Sequence, residues 1–153
     1  EYYADLALKY LEVAEKLPGQ NQFEDLQEFK GMASLSLKDF EKAVSSFTQA
    51  LKETSSPFLL YVVGETYMQM QDFQNAKQYF FETISQTKDE LLQLRCRYHI
   101  GIILFNEGEF EKALKYFEES AEICKKSFGE NSGNYKSLLQ NIEIVKERLG
   151  KNE

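Results

Sequence analysis

The sequence predicts an all-α protein, a stack of antiparallel helix pairs with about eight helices in all. Three observations carry that reading: a spaced motif that recurs, apolar residues that return every three or four positions, and no strand-like alternation. Gly31, Phe40, Ala43 and Phe47 recur as Gly64, Phe73, Ala76 and Phe80, and again as Gly101, Phe110, Ala113 and Phe117. The internal steps are 9, 3 and 4 each time, and the copies are offset by 33 and then 37 residues. At ordinary residue frequencies such a match has on the order of a one-in-50,000 chance per placement, so two further occurrences mark a repeat.

The elements follow in order. Residues 2–17 form an amphipathic helix stopped by Pro18-Gly19, with Ala7, Leu11 and Ala14 in the pattern of a second helix of a pair. The remaining helices are expected at 22–36, 40–53, 57–70, 73–86, 89–106, 110–126 and 134–149. In each repeat Phe-x-x-Ala-x-x-x-Phe lies on one helix face, and the glycine upstream lets a neighbouring helix approach closely. Asp39 and Asp72 suit N-caps of the second helices, and Gly108-Glu109 turns the chain in the third repeat. Ser56-Pro57 is a start signal, a cap followed by proline at the first helical position. The four extra residues between the second and third repeats fall near Thr87-Lys88-Asp89-Glu90 and are expected to lengthen helices or their turn.

Composition excludes several classes of function. The chain has 153 residues, 42% hydrophobic, with 25 Asp and Glu against 18 Lys and Arg and a net charge of −7. That acidity argues against a general binder of nucleic acid or anionic membrane. The longest strictly apolar run, Phe58 to Val63, is too short to span a bilayer. No signal peptide is evident in the charged segment Glu1 to Leu17, and the missing initiator Met predicts an excised fragment. Cys96, Cys124 and the single histidine, His99, lack the close-spaced pairs of a zinc site. Two isolated thiols suit a reducing, cytoplasmic compartment. No metal or cofactor is expected.

Gly31 to Ala50, Gly64 to Phe80 and Gly101 to Phe117, with Tyr67 as an aromatic late in a first helix, resemble tetratricopeptide repeats. The resemblance implies a right-handed superhelical solenoid of antiparallel helix pairs. It would form a single domain over 1–153, with a half-repeat at 2–17, repeats at about 24–56, 57–90 and 94–127, and a C-terminal helix at 134–149. Departures are Lys30, where a large apolar residue is usual, and Thr83 and Ser120, where Ala50 shows the usual small residue. The segment Ser127 to Asn134, followed by Ser137 to Ile142 and Leu149-Gly150, resembles the longer-loop repeats of kinesin light chains and bacterial peptide-sensing regulators. No function is transferred on that second resemblance.

A stack of helical hairpins curves, and its first helices line the concave side. Aligning the repeats by their glycines places Asp25, Glu28, Met32 and Leu35 there, then Phe58, Tyr61, Glu65 and Met68, then Arg95, Tyr98, Ile102 and Phe105. The last helix adds Ser137, Gln140, Ile144 and Glu147. The peptide-binding set is taken as Met32, Leu35, Phe58, Tyr61, Glu65, Met68, Arg95, Tyr98, Ile102 and Phe105. Such a trough, aromatic and aliphatic in the middle and acidic at its N-terminal end, suits an apolar or amphipathic peptide of a protein partner. The carboxylate clamp of chaperone-adaptor members is not expected, because its Lys, Asn, Asn, Lys and Arg positions fall on Glu28, Met32, Val62, Arg95 and His99. An alternative register meets Tyr61, Glu65, His99, Ser137 and Asn141 and fits no better.

No enzyme is expected either. There is no phosphate-binding loop, dinucleotide fingerprint or nucleophile elbow, and Cys96 and His99, three apart, have no evident Asn or Asp to orient them. The leading function is therefore a protein-interaction scaffold. A structural segment of a larger solenoid and a peptide-sensing regulatory domain are the alternatives. Tyr135, Leu138, Leu139, Ile142, Val145 and Leu149 make one stripe that closes the array at its C-terminal end. Helix 2–17 has a broader apolar arc, which predicts a contact surface there and self-association through it.

Overall fold

The computed structural model describes residues 2–16 and 25–151, and its regular elements are all helices. In chain order they are α1 (Tyr2–Ala14), α2 (Leu26–Ser36), α3 (Phe40–Ala50), α4 (Pro57–Gln69), α5 (Phe73–Gln86), α6 (Glu90–Asn106), α7 (Phe110–Phe128) and α8 (Gly133–Leu149). Leu17, the stop at Pro18-Gly19 and the expected start of a helix at 22 lie outside the described residues. Elsewhere the expected bounds shift for local reasons. Residues 51–53 turn toward the Ser56-Pro57 start, so α3 ends at Ala50, and α7 runs to Phe128, where Gly129 at φ 80° ends it. The extra residues between repeats lengthen helices: α6 has 17 residues where α4 has 13.

The three turns inside the repeats share one backbone. Lys38, Gln71 and Gly108 stand at φ 60°, 60° and 81°. The amides of the residues that follow, Asp39, Asp72 and Glu109, donate back to the carbonyls of Ser34, Tyr67 and Leu104 at 2.9–3.0 Å. This is a Schellman ending in each case. Asp39 and Asp72 then cap the next helix, accepting from the amides of Lys42 and Asn75 at 3.3 and 3.1 Å. Glu109 makes no such cap and pairs instead with Lys112 at 2.8 Å. Ser56, Asp89 and Ser132 cap α4, α6 and α8.

The chain forms two compact units, residues 1–76 and 77–153, divided within α5. In the first, α1 packs on α2, α2 on α3 and α3 on α4. Phe47 is fully buried with its ring over Gly31, where an added Cβ would collide with it. In the second, α6 packs on α7 and α7 on α8. The Phe117 ring covers Gly101, and a Cβ there would lie 2.8 Å from it. Each missing side chain thus makes room for the aromatic ring of its own hairpin.

The three departures from the repeat pattern have local explanations. Lys30 donates to Glu15 Oε2 at 2.7 Å while Gln27 donates to Oε1 at 3.0 Å, tying α2 to the segment after α1. Thr83 and Ser120 are fully buried, and each hydroxyl donates to the carbonyl four residues back, at Tyr79 and Tyr116, both at 2.8 Å. A small side chain is still what fits; its polar atom is satisfied within the helix. On α8, Leu138, Ile142 and Val145 are buried, whereas Leu139 is 43% exposed and stands outside the stripe assigned to it.

Candidate peptide-binding faces

In the first unit, Met32 and Leu35 on α2 and Met68 on α4 are half-buried, and Phe58 is 49% exposed. Tyr61 packs more deeply than its groove position predicts. It is 4% exposed, its hydroxyl donates to Glu65 Oε1 at 2.6 Å, and its ring centroid lies 6.4 Å from that of Phe58. What Tyr61 offers at the surface is therefore the orientation of a carboxylate more than an aromatic face. A concavity of about 330 Å³ opens at this end, lined by Leu35, Lys38, Phe40, Val62, Glu65, Thr66 and Gln69. It brings together Leu35 and Glu65 from the expected set and leaves Met32, Phe58 and Met68 outside its lining.

In the second unit, Tyr98, Ile102 and Phe105 on α6 are half-buried and line one concavity of about 210 Å³ with Phe117, Asn141, Ile144 and Val145. The aromatic packing is angled: Tyr98 and Phe117 are 5.9 Å apart at 58°, and Phe105 and Phe110 are 5.4 Å apart at 60°. Rings angled in this way pack against one another without stacking face to face. Arg95 is exposed one turn earlier on the same helix and lies outside the lining. Its neighbour Arg97 points to Glu119 on α7, with Nε 3.0 Å from Oε2.

Sequence reasoning missed Lys38, Phe40, Thr66 and Gln69 as lining residues, and named Phe117 only for its place in the repeat. Phe40 and Phe117 carried a signal, since the repeat puts an aromatic there; Lys38, Thr66 and Gln69 carried none. Cys96 and Cys124 are fully buried. His99 stacks on Phe80 with ring centroids 5.0 Å apart at 11°, which gives the imidazole a packing role. Among the described residues, no group of three or more His, Cys, Asp and Glu is placed to hold a metal ion. No helix among them is long and apolar enough to cross a membrane.

Comparison with known proteins adds the wider context. Two family models, each described as tetratricopeptide repeat, match residues 92–153 and residues 25–56 with 59–81. The photosystem I assembly protein Ycf3 of Acaryochloris marina is 27% identical over 131 residues, 78% of this chain and 76% of that protein. MamA (41-end) from Desulfovibrio magneticus RS-1 superposes with a TM-score of 0.69 at 16% identity, covering 98% of this chain and 88% of that one. The Sgt2 TPR domain from Aspergillus fumigatus gives 0.64 at 17% identity, covering 84% and 80%. At these identities the structural likenesses show the fold: an all-α solenoid of helix pairs.

Proposed function

The chain belongs to the tetratricopeptide-repeat family, a family of protein–protein interaction scaffolds, and from that premise we propose that it binds an apolar or amphipathic peptide segment of a partner protein on its first-helix faces. One observation supports this most. Met32, Leu35, Phe58, Met68, Tyr98, Ile102 and Phe105 are apolar or aromatic, yet all keep contact with solvent, while the skeleton residues Ala43, Phe47, Ala113 and Phe117 are buried. Apolar side chains held at the surface along one set of helices are what a protein ligand covers. The role is non-catalytic, and a reducing, cytoplasmic setting suits the two buried thiols.

The test is retention of a partner from native lysate by the whole chain and by a variant carrying Met68→Glu with Ile102→Glu. A protein held by wild type and lost by the variant, at equal helical circular dichroism, supports this reading. The same protein held equally by both moves the site elsewhere.

A second reading, packing into a larger assembly or self-association, is favoured by Tyr10 and Val13 on α1 and Phe29 on α2, which are 69%, 58% and 58% exposed. Light scattering should then show concentration-dependent association that Tyr10→Glu with Val13→Glu suppresses. A monomer at every concentration tested would remove self-association.

A further inference from the structure

Resting on that reading, we propose that the concavity of the second unit takes one large apolar side chain of an extended partner segment, with an Asp or Glu beside it held by Arg95. Its volume, about 210 Å³, falls below the range of small-molecule pockets, about 300–1,000 Å³, and suits a single side chain. Tyr98, Ile102, Phe105 and Ile144 make the walls apolar.

Asn141 specifies what accompanies that side chain. It is half-buried among apolar groups, and among the described residues its amide makes no hydrogen bond. A carboxamide offers both an acceptor and donors, and in partly desolvated surroundings it gains from a partner that offers the complement. A peptide group does so only when its backbone is extended. A helix has already satisfied most of its own N–H and C=O groups, so it meets Asn141 only through a side chain, whereas an extended segment offers its backbone.

Arg95 sets the charge. It lies three residues before Tyr98, about 4.5 Å along the helix axis, on the same face. Among the described residues it forms no ion pair, whereas Arg97, Lys126 and Lys146 are engaged by Glu119, Glu90 and Glu118. An extended chain advances about 3.3 Å per residue, which puts the acidic side chain one or two positions from the apolar anchor. The carboxylate is an internal side chain rather than a chain terminus. At the other clamp positions Glu28 stands for Lys, and Met32 and Val62 stand where Asn would donate to a terminal carboxylate, so that ladder is missing.

The experiment pans a library of random twelve-residue peptides, displayed without a free C-terminus, on the whole chain. Enriched peptides are resynthesised with both ends blocked and titrated by fluorescence anisotropy. The expected consensus is Leu, Met or Phe with Asp or Glu one or two residues away. Asn141→Ala should weaken those peptides at least fivefold, and panning on Arg95→Glu should exchange the acidic flank for Lys or Arg, both variants keeping wild-type circular dichroism. If Asn141→Ala does perturb the fold, Ile144→Glu, at a position 48% exposed, blocks the same mouth and should abolish binding. Enriched peptides that bind the variants as tightly as wild type, or that need a free terminal carboxylate, overturn this inference and leave the scaffold reading standing. No enriched peptide at all overturns both.

Discussion

The two units are built on the same hairpin and differ in how they carry charge. Residues 1–76 hold 12 Asp and Glu against 6 Lys and Arg, a net of −6, while residues 77–153 hold 13 against 12, a net of −1. In the second unit opposite charges link separate helices: Arg97 and Lys126 reach from one of α6 and α7 to Glu119 and Glu90 on the other, and Lys146 on α8 lies 3.5 Å from Glu118 on α7. Lys77 on α5 binds Glu107 just past α6 at 2.7 Å. In the first unit, among the described residues, Lys30–Glu15 joins separate helical segments and Lys42–Asp39 stays within one turn. The repeat thus constrains only its buried skeleton. Gly31–Phe47 and Gly101–Phe117 are the same device, so surface charge is free to differ, with a net of −6 on one unit against −1 on the other. An acidic field steers basic ligands and weakens with salt.

Two core substitutions test whether these are two units energetically. Phe47→Ala and Phe117→Ala each empty a buried site and should cost about 3–5 kcal/mol. Hydrogen exchange should show protection lost in α2–α4 for Phe47→Ala and kept in α6–α8, with the reverse for Phe117→Ala. Stacked repeats couple mainly to their neighbours, so partial loss is the expected form. Protection lost throughout the chain in either variant would erase the distinction.

The turns of the two units differ at a smaller scale. The first unit uses Lys38 and Gln71 in the left-handed region, and the second uses Gly108. A side chain there is disfavoured by about 1–2 kcal/mol, partly offset because glycine loses more entropy on folding. Gln71→Gly should therefore stabilise by about 0.5 kcal/mol, and Gly108→Ala should destabilise by about 1 kcal/mol, both read from denaturant midpoints. Equal and opposite failures, with Gln71→Gly destabilising and Gly108→Ala neutral, would mean that the Gln71 side chain contributes more than its backbone costs.

Much of this architecture was legible because it is arithmetic. Fixed steps of 9, 3 and 4 locate Gly, Phe, Ala and Phe on facing helices without knowledge of anything around them. Depth was not legible in the same way. Helix periodicity tells in which direction Tyr61 points but not that the surroundings cover it to 4% exposure, nor that Leu139 beside the buried Leu138 stays 43% exposed. Asn141 was visible only as a position in a clamp register that did not fit, because the feature that matters, an amide among apolar neighbours from α6 and α7, depends on helices far apart in sequence. The division into two units falls between Ala76 and Phe80, inside a motif that looks continuous, so no sequence signal marks it.

The smallest effect concerns how each unit's ion pairs respond to acid. Lys30, hydrogen-bonded to Glu15, holds that carboxyl below its usual value, and the Gln27 amide adds to the effect. A depressed carboxylate contributes stability that is fully present above its unfolded value, near 4.3, and is lost as pH falls through the lower folded value. Because Glu15 keeps 38% side-chain exposure, solvent screens the pair, and its contribution should stay under about 1 kcal/mol. Lys30→Met should thus lower stability slightly at pH 7 and flatten the decline below pH 4.3. In the second unit, hydrogen bonding to Lys125 draws Glu130 down in the same direction, but the two side chains are 52% and 64% exposed. Salt at 0.5 M should erase the effect of Lys125→Met while leaving part of that of Lys30→Met, whose ammonium side chain is only 18% exposed. Acid denaturation of wild type and Lys30→Met at low and high salt reads this directly, and parallel curves below pH 4.3 would show that the Glu15 pair holds nothing together.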